Sequence, residues 1–250
     1  FVNSVDVLAT WDDHDYGLND GGVEFYKKKE SQQEFLDFLK VPKDDKRRGQ
    51  EGIYTSKTYK TKQGSIKVIV LDTRYFRTGL TKATAKNKRY QPNTYGEGTV
   101  LGAQQWNWLK AELKNSNANF NVIVSSIQLL SYKHGYESWG TFPHEVDTLK
   151  NVIKESKAAG VLVLSGDRHI SEFSSTKIEG LSFPLVDFTS SGLTHSYRGF
   201  KGEENPERIG NVISELSFGI LKFDYKSNKV TMQMRGKGNI LQQEHIQSYN

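Results

Sequence analysis

The chain has 250 residues, room for one or two domains and for a full hydrophobic core without disulfide or metal staples. It has no cysteine, which excludes disulfides, thiolate nucleophiles, thiolate-bound zinc and iron–sulfur clusters. Its 34 basic and 29 acidic residues leave a net charge of +5, a balance that favours anionic ligands.

That charge is scattered. The densest basic clusters, Lys27-Lys28-Lys29 and Arg47-Arg48, lie beside Glu24, Glu30, Asp44 and Asp45. They read as solvated faces rather than as a nucleic-acid groove. No aliphatic run exceeds four residues, far short of the roughly 20 apolar residues of a spanning helix. The 12 Tyr, 13 Phe and 4 Trp exclude wholesale disorder.

Short apolar, β-rich runs alternate with helical patterns along the chain. Residues 5–10 predict a strand, and 30–40 a helix with Phe35, Leu36, Phe38 and Leu39 on its apolar face. Residues 66–71 predict a second strand. A helix over 103–115 carries Trp106, Leu109 and Leu113 at spacings of three and four. Residues 121–125 form a third strand, 144–159 a helix closed by Gly160, and 161–164 a fourth strand. Residues 185–189 form another. Residues 218–225 and 229–234, joined by Lys226-Ser227-Asn228, predict an antiparallel hairpin. The first four strands lack clean alternation and predict burial on both faces. Long irregular stretches at 43–55, 82–101 and 131–143 predict binding or mobile loops. The pattern predicts a layered α/β or α+β domain.

Four apolar runs stop at residues able to do chemistry. The first leads into Trp11-Asp12-Asp13-His14-Asp15, the second into Asp72-Thr73-Arg74. The third leads into Ser126-Ile127-Gln128, and the fourth into Gly166-Asp167-Arg168-His169. If these strands are parallel neighbours, their carboxyl ends form one rim, the usual ligand site of such sheets. Asp12, Asp13 and Asp15 repel one another unless donors or cations neutralise them. Carboxylate, amide and imidazole ligands suit hard or borderline divalent metals. Arginines on the same rim suit phosphate oxygens. The combination points to metal-assisted phosphoryl transfer. Each motif alone reads equally well as a helix cap, a turn or an ion pair; their joint occurrence at successive strand ends is what favours chemistry. His134, His144 and His245 lack such a setting, and His195, after Ser190-Ser191-Gly192, is a weaker candidate. No Gly-x-Ser-x-Gly elbow, Walker loop or strand-linked Gly-x-Gly-x-x-Gly is present.

Several segments, in order over nearly the whole chain, resemble the PhoD-like (alkaline phosphatase D) metallophosphatases, a branch of the calcineurin-like phosphoesterase superfamily. They are Thr10-Trp11-Asp12-Asp13-His14-Asp15-Tyr16-Gly17, Leu71-Asp72-Thr73-Arg74-Tyr75, Leu101-Gly102-Ala103-Gln104-Gln105-Trp106, Ser125-Ser126-Ile127-Gln128, Trp139-Gly140-Thr141-Phe142-Pro143, Ser165-Gly166-Asp167-Arg168-His169 and Thr189-Ser190-Ser191-Gly192. The resemblance implies an α/β fold of two packed mixed sheets flanked by helices, spanning residues 1–250 as one domain. It implies hydrolysis of phosphoric mono- or diesters by a metal-bound hydroxide, with His14 as general acid. By position in the motifs, Asp13, Asp167, His169 and Gln128 are the implied metal ligands. Arg74 and Arg168 are the implied phosphate contacts. The implied metals are iron and calcium, with zinc or manganese as alternatives, and the implied partner is a phosphate ester. Nucleic acid is expected only as a substrate, and a periplasmic or secreted location follows by analogy. The family places further ligand motifs upstream of Trp11, so the chain is expected to lack the first strands. A non-catalytic binding or structural module is the alternative reading.

Overall fold

The computed structural model describes residues 5–249. A seven-stranded mixed sheet organises it, with strands β1 (Thr55–Lys60), β2 (Ser65–Val70), β5 (Phe120–Val124), β6 (Val161–Ser165), β7 (Ser171–Thr176), β8 (Leu185–Ser190) and β9 (Arg208–Ile213). Their order is β1-β2-β5-β6-β8-β7-β9. The central run β2-β5-β6-β8 is parallel, and β1, β7 and β9 complete the sheet in antiparallel pairing. A second sheet, β10 (Ser217–Asp224), β11 (Lys229–Gly236) and β12 (Leu241–Ser248), is antiparallel throughout. The short pair β3 (Thr81–Lys82) and β4 (Tyr90–Gln91) stands apart.

The two sheets share one core. Val230, Met232 and Met234 of β11 are buried in the same cluster as Ile123, Val163 and Val186. Phe120 anchors the far end, with ring centroids 5.2 Å from Phe223, 5.6 Å from Tyr225 and 5.8 Å from Tyr249. At Gly219 a Cβ would stand 2.9 Å from the Phe188 ring, so glycine permits β10 to approach β8. Helices α3 (Gly102–Lys114) and α4 (Pro143–Ser156) add Trp106, Leu109, Leu113, Leu149 and Ile153 to that core. Helix α2 (Lys28–Phe38) and the single turn α1 (Asp13–Tyr16) close a smaller cluster around Trp11, Tyr16, Leu36 and Tyr75.

Several expectations change. Residues 5–10 join no sheet among the described residues. Val5 and Val7 are exposed, and the segment is tied instead by the Thr10 hydroxyl donating to Leu71 O at 2.7 Å and by an Asp6–Lys57 ion pair. A run with β propensity becomes a strand only where a neighbouring ladder receives it. Helix α2 starts two residues earlier than predicted, and Phe38 points into solvent, 81% exposed, whereas Leu36 is buried in the small core with Phe35 and Leu39 packed against it. Helix α4 ends at left-handed Lys157, not at Gly160. Gly160 serves the entry to β6, where a Cβ would meet Asn119 O and the Phe120 ring at 2.6 Å. The hairpin through Lys226-Ser227-Asn228 forms as expected, its turn tied by Asp224 accepting from the Lys226 and Ser227 amides.

Two stability predictions follow from this packing. Phe120→Ala removes a ring that joins both sheets and lowers the unfolding free energy by about 3–5 kcal/mol, whereas Phe38→Ala changes it by no more than about 0.5 kcal/mol; urea denaturation of both variants checks the contrast. Burial raises the Asp187 carboxyl to about 6, against hydrogen bonds from Leu129 N, Leu130 N and Ser165 Oγ. An acid raised on folding binds more protons folded than unfolded. Its contribution to stability is therefore present at low pH and declines as pH rises from about 4 through 6, by up to about 1.4 kcal/mol per pH unit. Unfolding of Asp187→Asn measured across pH 4–7 should lack that component.

Candidate metal centre

Because β2, β5, β6 and β8 are parallel, the segments that leave them emerge on one edge. Leu71 N bonds Val124 O, Ser125 N bonds Leu164 O and Gly166 N bonds Ser126 O, extending the ladder past the strand ends. Asp72 follows β2 and is fully buried. It accepts from the Trp11 indole, the Ile53 amide, and the Arg74 and Tyr75 amides, all at 2.9 Å. Burial raises the Asp72 carboxyl, and these four donors oppose the shift. The Trp11–Asp72 bond thereby docks the Trp11-Asp12-Asp13-His14 motif onto the end of β2.

The motif presents its carboxylates in a fixed way. Asp12 precedes α1 and lies on the Arg74 guanidinium, which it meets through both Nε (3.1 Å) and Nη2. Asp13 is buried and accepts the His14 amide on Oδ1 (2.7 Å) and the Asp20 amide on Oδ2 (2.9 Å). Gly17 closes the turn at φ 116°, its amide bonding Asp13 O at 2.8 Å. Across the pocket, Gly166-Asp167-Arg168-His169 turns sharply after β6, with Asp167 and His169 both left-handed (φ 69° and 54°). Asp12, Asp13 and Asp167 each offer a carboxylate oxygen, and these atoms lie within 4.8 Å of one another.

This trio fits a cation. Its donors are hard carboxylate oxygens, the kind that suit Ca, Mg, Mn or oxidised iron. Burial and the Asp12 charge hold Asp167 well above the usual carboxylate range, with Arg74 opposing. A bound cation relieves that repulsion directly.

The pocket above the trio measures about 660 Å³ and also takes in His14, Asp15, Asp20, Arg89, Tyr136, Glu137, Arg168, His169 and Tyr197. Thus Asp13, His14, Asp167 and His169, singled out in distant parts of the chain, line one cavity. His14 is 80% exposed, its Nε2 3.9 Å from Asp13 Oδ1. His169 lies outside the 4.8 Å carboxylate group and stacks edge-on against His195 at 4.8 Å. Burial, together with His195, holds its imidazole below the usual histidine value. Arg168 lies over the Tyr136 ring at 4.0 Å and donates to Glu203 Oε1 at 2.6 Å.

Two of the expected site residues are placed differently. Gln128 does not line this pocket; its buried amide donates to Glu172 Oε1 (2.8 Å) and Thr189 Oγ1 (2.9 Å). Arg74 does not line it either. Its side chain is fully buried, with donors engaged by Asp12 and Glu137, so it offers no hydrogen bond to a phosphate in the cavity. Sequence reasoning recognised the mutual repulsion of Asp12 with its neighbours but did not place Asp12 among the ligands. It missed Glu137 entirely, because nothing in the 131–143 loop marks that glutamate as buried.

A mixed sheet flanked by helices, with an acidic pocket at the carboxyl ends of its parallel strands, is consistent with a metallophosphoesterase-like α/β fold. The family model described as PhoD-like phosphatase matches residues 1–240, and the chain belongs to that family. Over 140 residues it is 29% identical to alkaline phosphatase D of Bacillus subtilis (strain 168), covering 49% of this chain and 24% of that protein. A solved structure titled Structure of PhoD superposes with a TM-score of 0.70 at 20% identity, over 95% of this chain and 51% of that one. The chain thus spans about a quarter of the curated relative and half of the solved structure.

The trio makes a direct prediction. Asp13→Asn and Asp167→Asn should each weaken Mn²⁺ binding at least about tenfold, since each removes one charged oxygen donor; isothermal titration of the purified chain reads this.

Proposed function

We propose that this chain carries the reaction centre of a metal-dependent phosphoric ester hydrolase. The observation that supports it most is the meeting of Asp12, Asp13 and Asp167 within 4.8 Å, under a pocket whose rim carries an exposed histidine. Membership in the PhoD-like phosphatase family supports the same reaction class.

Asp12, Asp13 and Asp167 would hold the cation, with His169 alongside on the pocket wall. When bound, such a cation supplies Lewis acidity and makes water nucleophilic near neutral pH. The remaining work falls to the chain. Arg168 lines the pocket wall, stacked on Tyr136 and held by Glu203, where its remaining guanidinium donors suit phosphoryl oxygens. Its stacking and its ion pair fix the guanidinium plane, so little entropy is lost on engaging substrate. Water adds to phosphorus as the bond to the ester oxygen breaks. His14 gives its proton to that departing oxygen, so the alcohol leaves neutral. The Asp13 carboxylate lies 3.9 Å from His14 Nε2, and both residues line the pocket. Six carboxylates line the cavity against two arginines, which disfavours an anionic ester unless a cation intervenes.

Removing the proton donor tests the assignment. With alkyl phosphoric mono- and diesters as substrates and Mn²⁺ or Ca²⁺ supplied, His14→Ala should lower kcat/KM by about 10²–10⁴. Its effect should be smaller on activated nitrophenyl esters than on alkyl esters, whose leaving oxygens need the proton more. Equal kcat/KM for His14→Ala and the unaltered chain on alkyl esters sinks the role of His14.

A further inference from the structure

Below the acidic trio lies a chain of buried charges that the proposed reaction does not use. Arg74, Glu137 and Arg77 are each no more than 1% exposed. Arg74 Nη1 pairs with Glu137 Oε2, and Arg77 Nε lies 2.7 Å from Glu137 Oε1. The other face of Arg74 meets Asp12 through Nε and Nη2, both on Oδ1, and Nη2 stands 4.0 Å from Asp167 Oδ1. The Arg74 backbone is pinned as well, its amide donating to the buried Asp72 carboxylate.

We infer that Arg74 is a positioning residue for the cation site: its guanidinium, held from behind by Glu137, fixes the Asp12 carboxylate beside Asp13 and Asp167. This rests on the metal-dependent reading above and assigns Arg74 a role other than phosphate binding. The geometry carries it in three ways. Arg74 is closed off from the cavity, so it acts on a substrate only through its neighbours. It touches Asp12 and faces Asp167, two of the three oxygen donors, which come from segments 155 residues apart in sequence. Both of its contacts with Asp12 fall on Oδ1, so Oδ2 takes no bond from the guanidinium.

Glu137 gives this arrangement its direction. A planar fork held at one end by a buried carboxylate cannot swing, and its opposite edge then sets the plane of Asp12. Arg77, which also donates to the Asp20 and Thr78 carbonyls, anchors Glu137 in turn. Residues that orient a ligand carboxylate affect metal affinity by about 10- to 100-fold when altered.

Charge and position make opposite predictions, which gives the test its force. A positive group near the site, taken as charge alone, opposes a cation; removing it should tighten binding. Mn²⁺ affinity of the purified chain is measured by isothermal titration for the unaltered protein, Arg74→Lys, Arg74→Met and Arg74→Met with Glu137→Gln, with far-UV circular dichroism and urea unfolding on each. Arg74→Lys keeps the charge but loses the fork, and is expected to bind Mn²⁺ about tenfold more weakly. Arg74→Met is expected to bind at least as weakly although a positive charge has gone. In the double variant Glu137→Gln removes the carboxylate that Arg74→Met leaves to Arg77 alone, and its Mn²⁺ affinity is expected to stay low. Unchanged binding by Arg74→Lys, tighter binding by Arg74→Met, or affinity that recovers in the double variant each overturns the inference while leaving the metal site intact. If Arg74→Met does not fold, Arg74→Lys decides. An unaltered chain that binds no Mn²⁺ or Ca²⁺ overturns the metal-dependent reading itself, and this inference with it.

Discussion

Three carboxylates must sit together for this pocket to exist, and they repel. At separations up to 4.8 Å, each pair of full charges costs at least about 3 kcal/mol at an effective dielectric near 20. The fold meets this cost unevenly. Asp12 is matched by the Arg74 guanidinium. Asp13 takes two backbone amides, from His14 and Asp20. Asp167 stands 4.0 Å from the edge of Arg74, and burial and the Asp12 charge drive its carboxyl up, with Arg74 and Arg168 opposing. A cation bound there would contribute most at the incompletely compensated member, so the distribution of partners supports the metal-dependent reading proposed above.

The second requirement is mechanical. Segments 11–20, 72–74 and 166–169 have no strand in common, yet their side chains must agree to fractions of an ångström. Asp72 supplies the joint. It binds the Trp11 indole from the motif, the Ile53 amide from the segment before β1, and the amides of its own turn. Gln105 of α3 closes the arrangement, accepting from Asp72 N and donating to Asp72 O, both at 2.8 Å. A buried aspartate is costly unless fully hydrogen-bonded. Here the same carboxylate ties Trp11, and with it the motif that follows, to the end of β2.

Much of this was legible in the residue pattern, for identifiable reasons. Strands β2, β5, β6 and β8 are dense in Val, Ile and Leu because both faces of a central sheet are covered, and such runs are visible without any partner. Strands β1, β7 and β12 read Thr-Ser-Lys-Thr-Tyr-Lys, Ser-Glu-Phe-Ser-Ser-Thr and Leu-Gln-Gln-Glu-His-Ile-Gln-Ser. Their polar side chains hide the strand, which exists because a neighbouring ladder accepts it. Residues 5–10 show the reverse: strand-like composition with no ladder among the described residues. At the site, Asp13, His14, Asp167 and His169 announce themselves by clustering at strand ends. Glu137 does not, since its burial is created by Arg74 and Arg77 from a different part of the chain. Position in a motif suggests Gln128 as a ligand, but it lies off the pocket: its Nε2 donates to Glu172 and Thr189, a partnership that the β7–β8 pairing creates, while its buried Oε1 takes no hydrogen bond from the described residues.

The turn after β6 shows what the arrangement demands of the backbone. Asp167 and His169 both occupy the left-handed region, at a cost of about 1–3 kcal/mol each for residues other than glycine. Four bonds hold the turn there: Gly166 N to Ser126 O, Arg168 N to Gly166 O, His169 N to Ser191 Oγ and Tyr197 N to His169 O. Two ion pairs, Arg168–Glu203 and Lys133–Glu204, then clamp the 191–207 loop against the same wall. An extended strand would send successive side chains to opposite faces. The two reversals instead let Asp167, Arg168 and His169 all border one cavity, with the carboxylate directed at Asp12 and the imidazole at His195. Local strain is thus exchanged for convergence, and the loop that holds the strained turn is also the wall against which a substrate would lie.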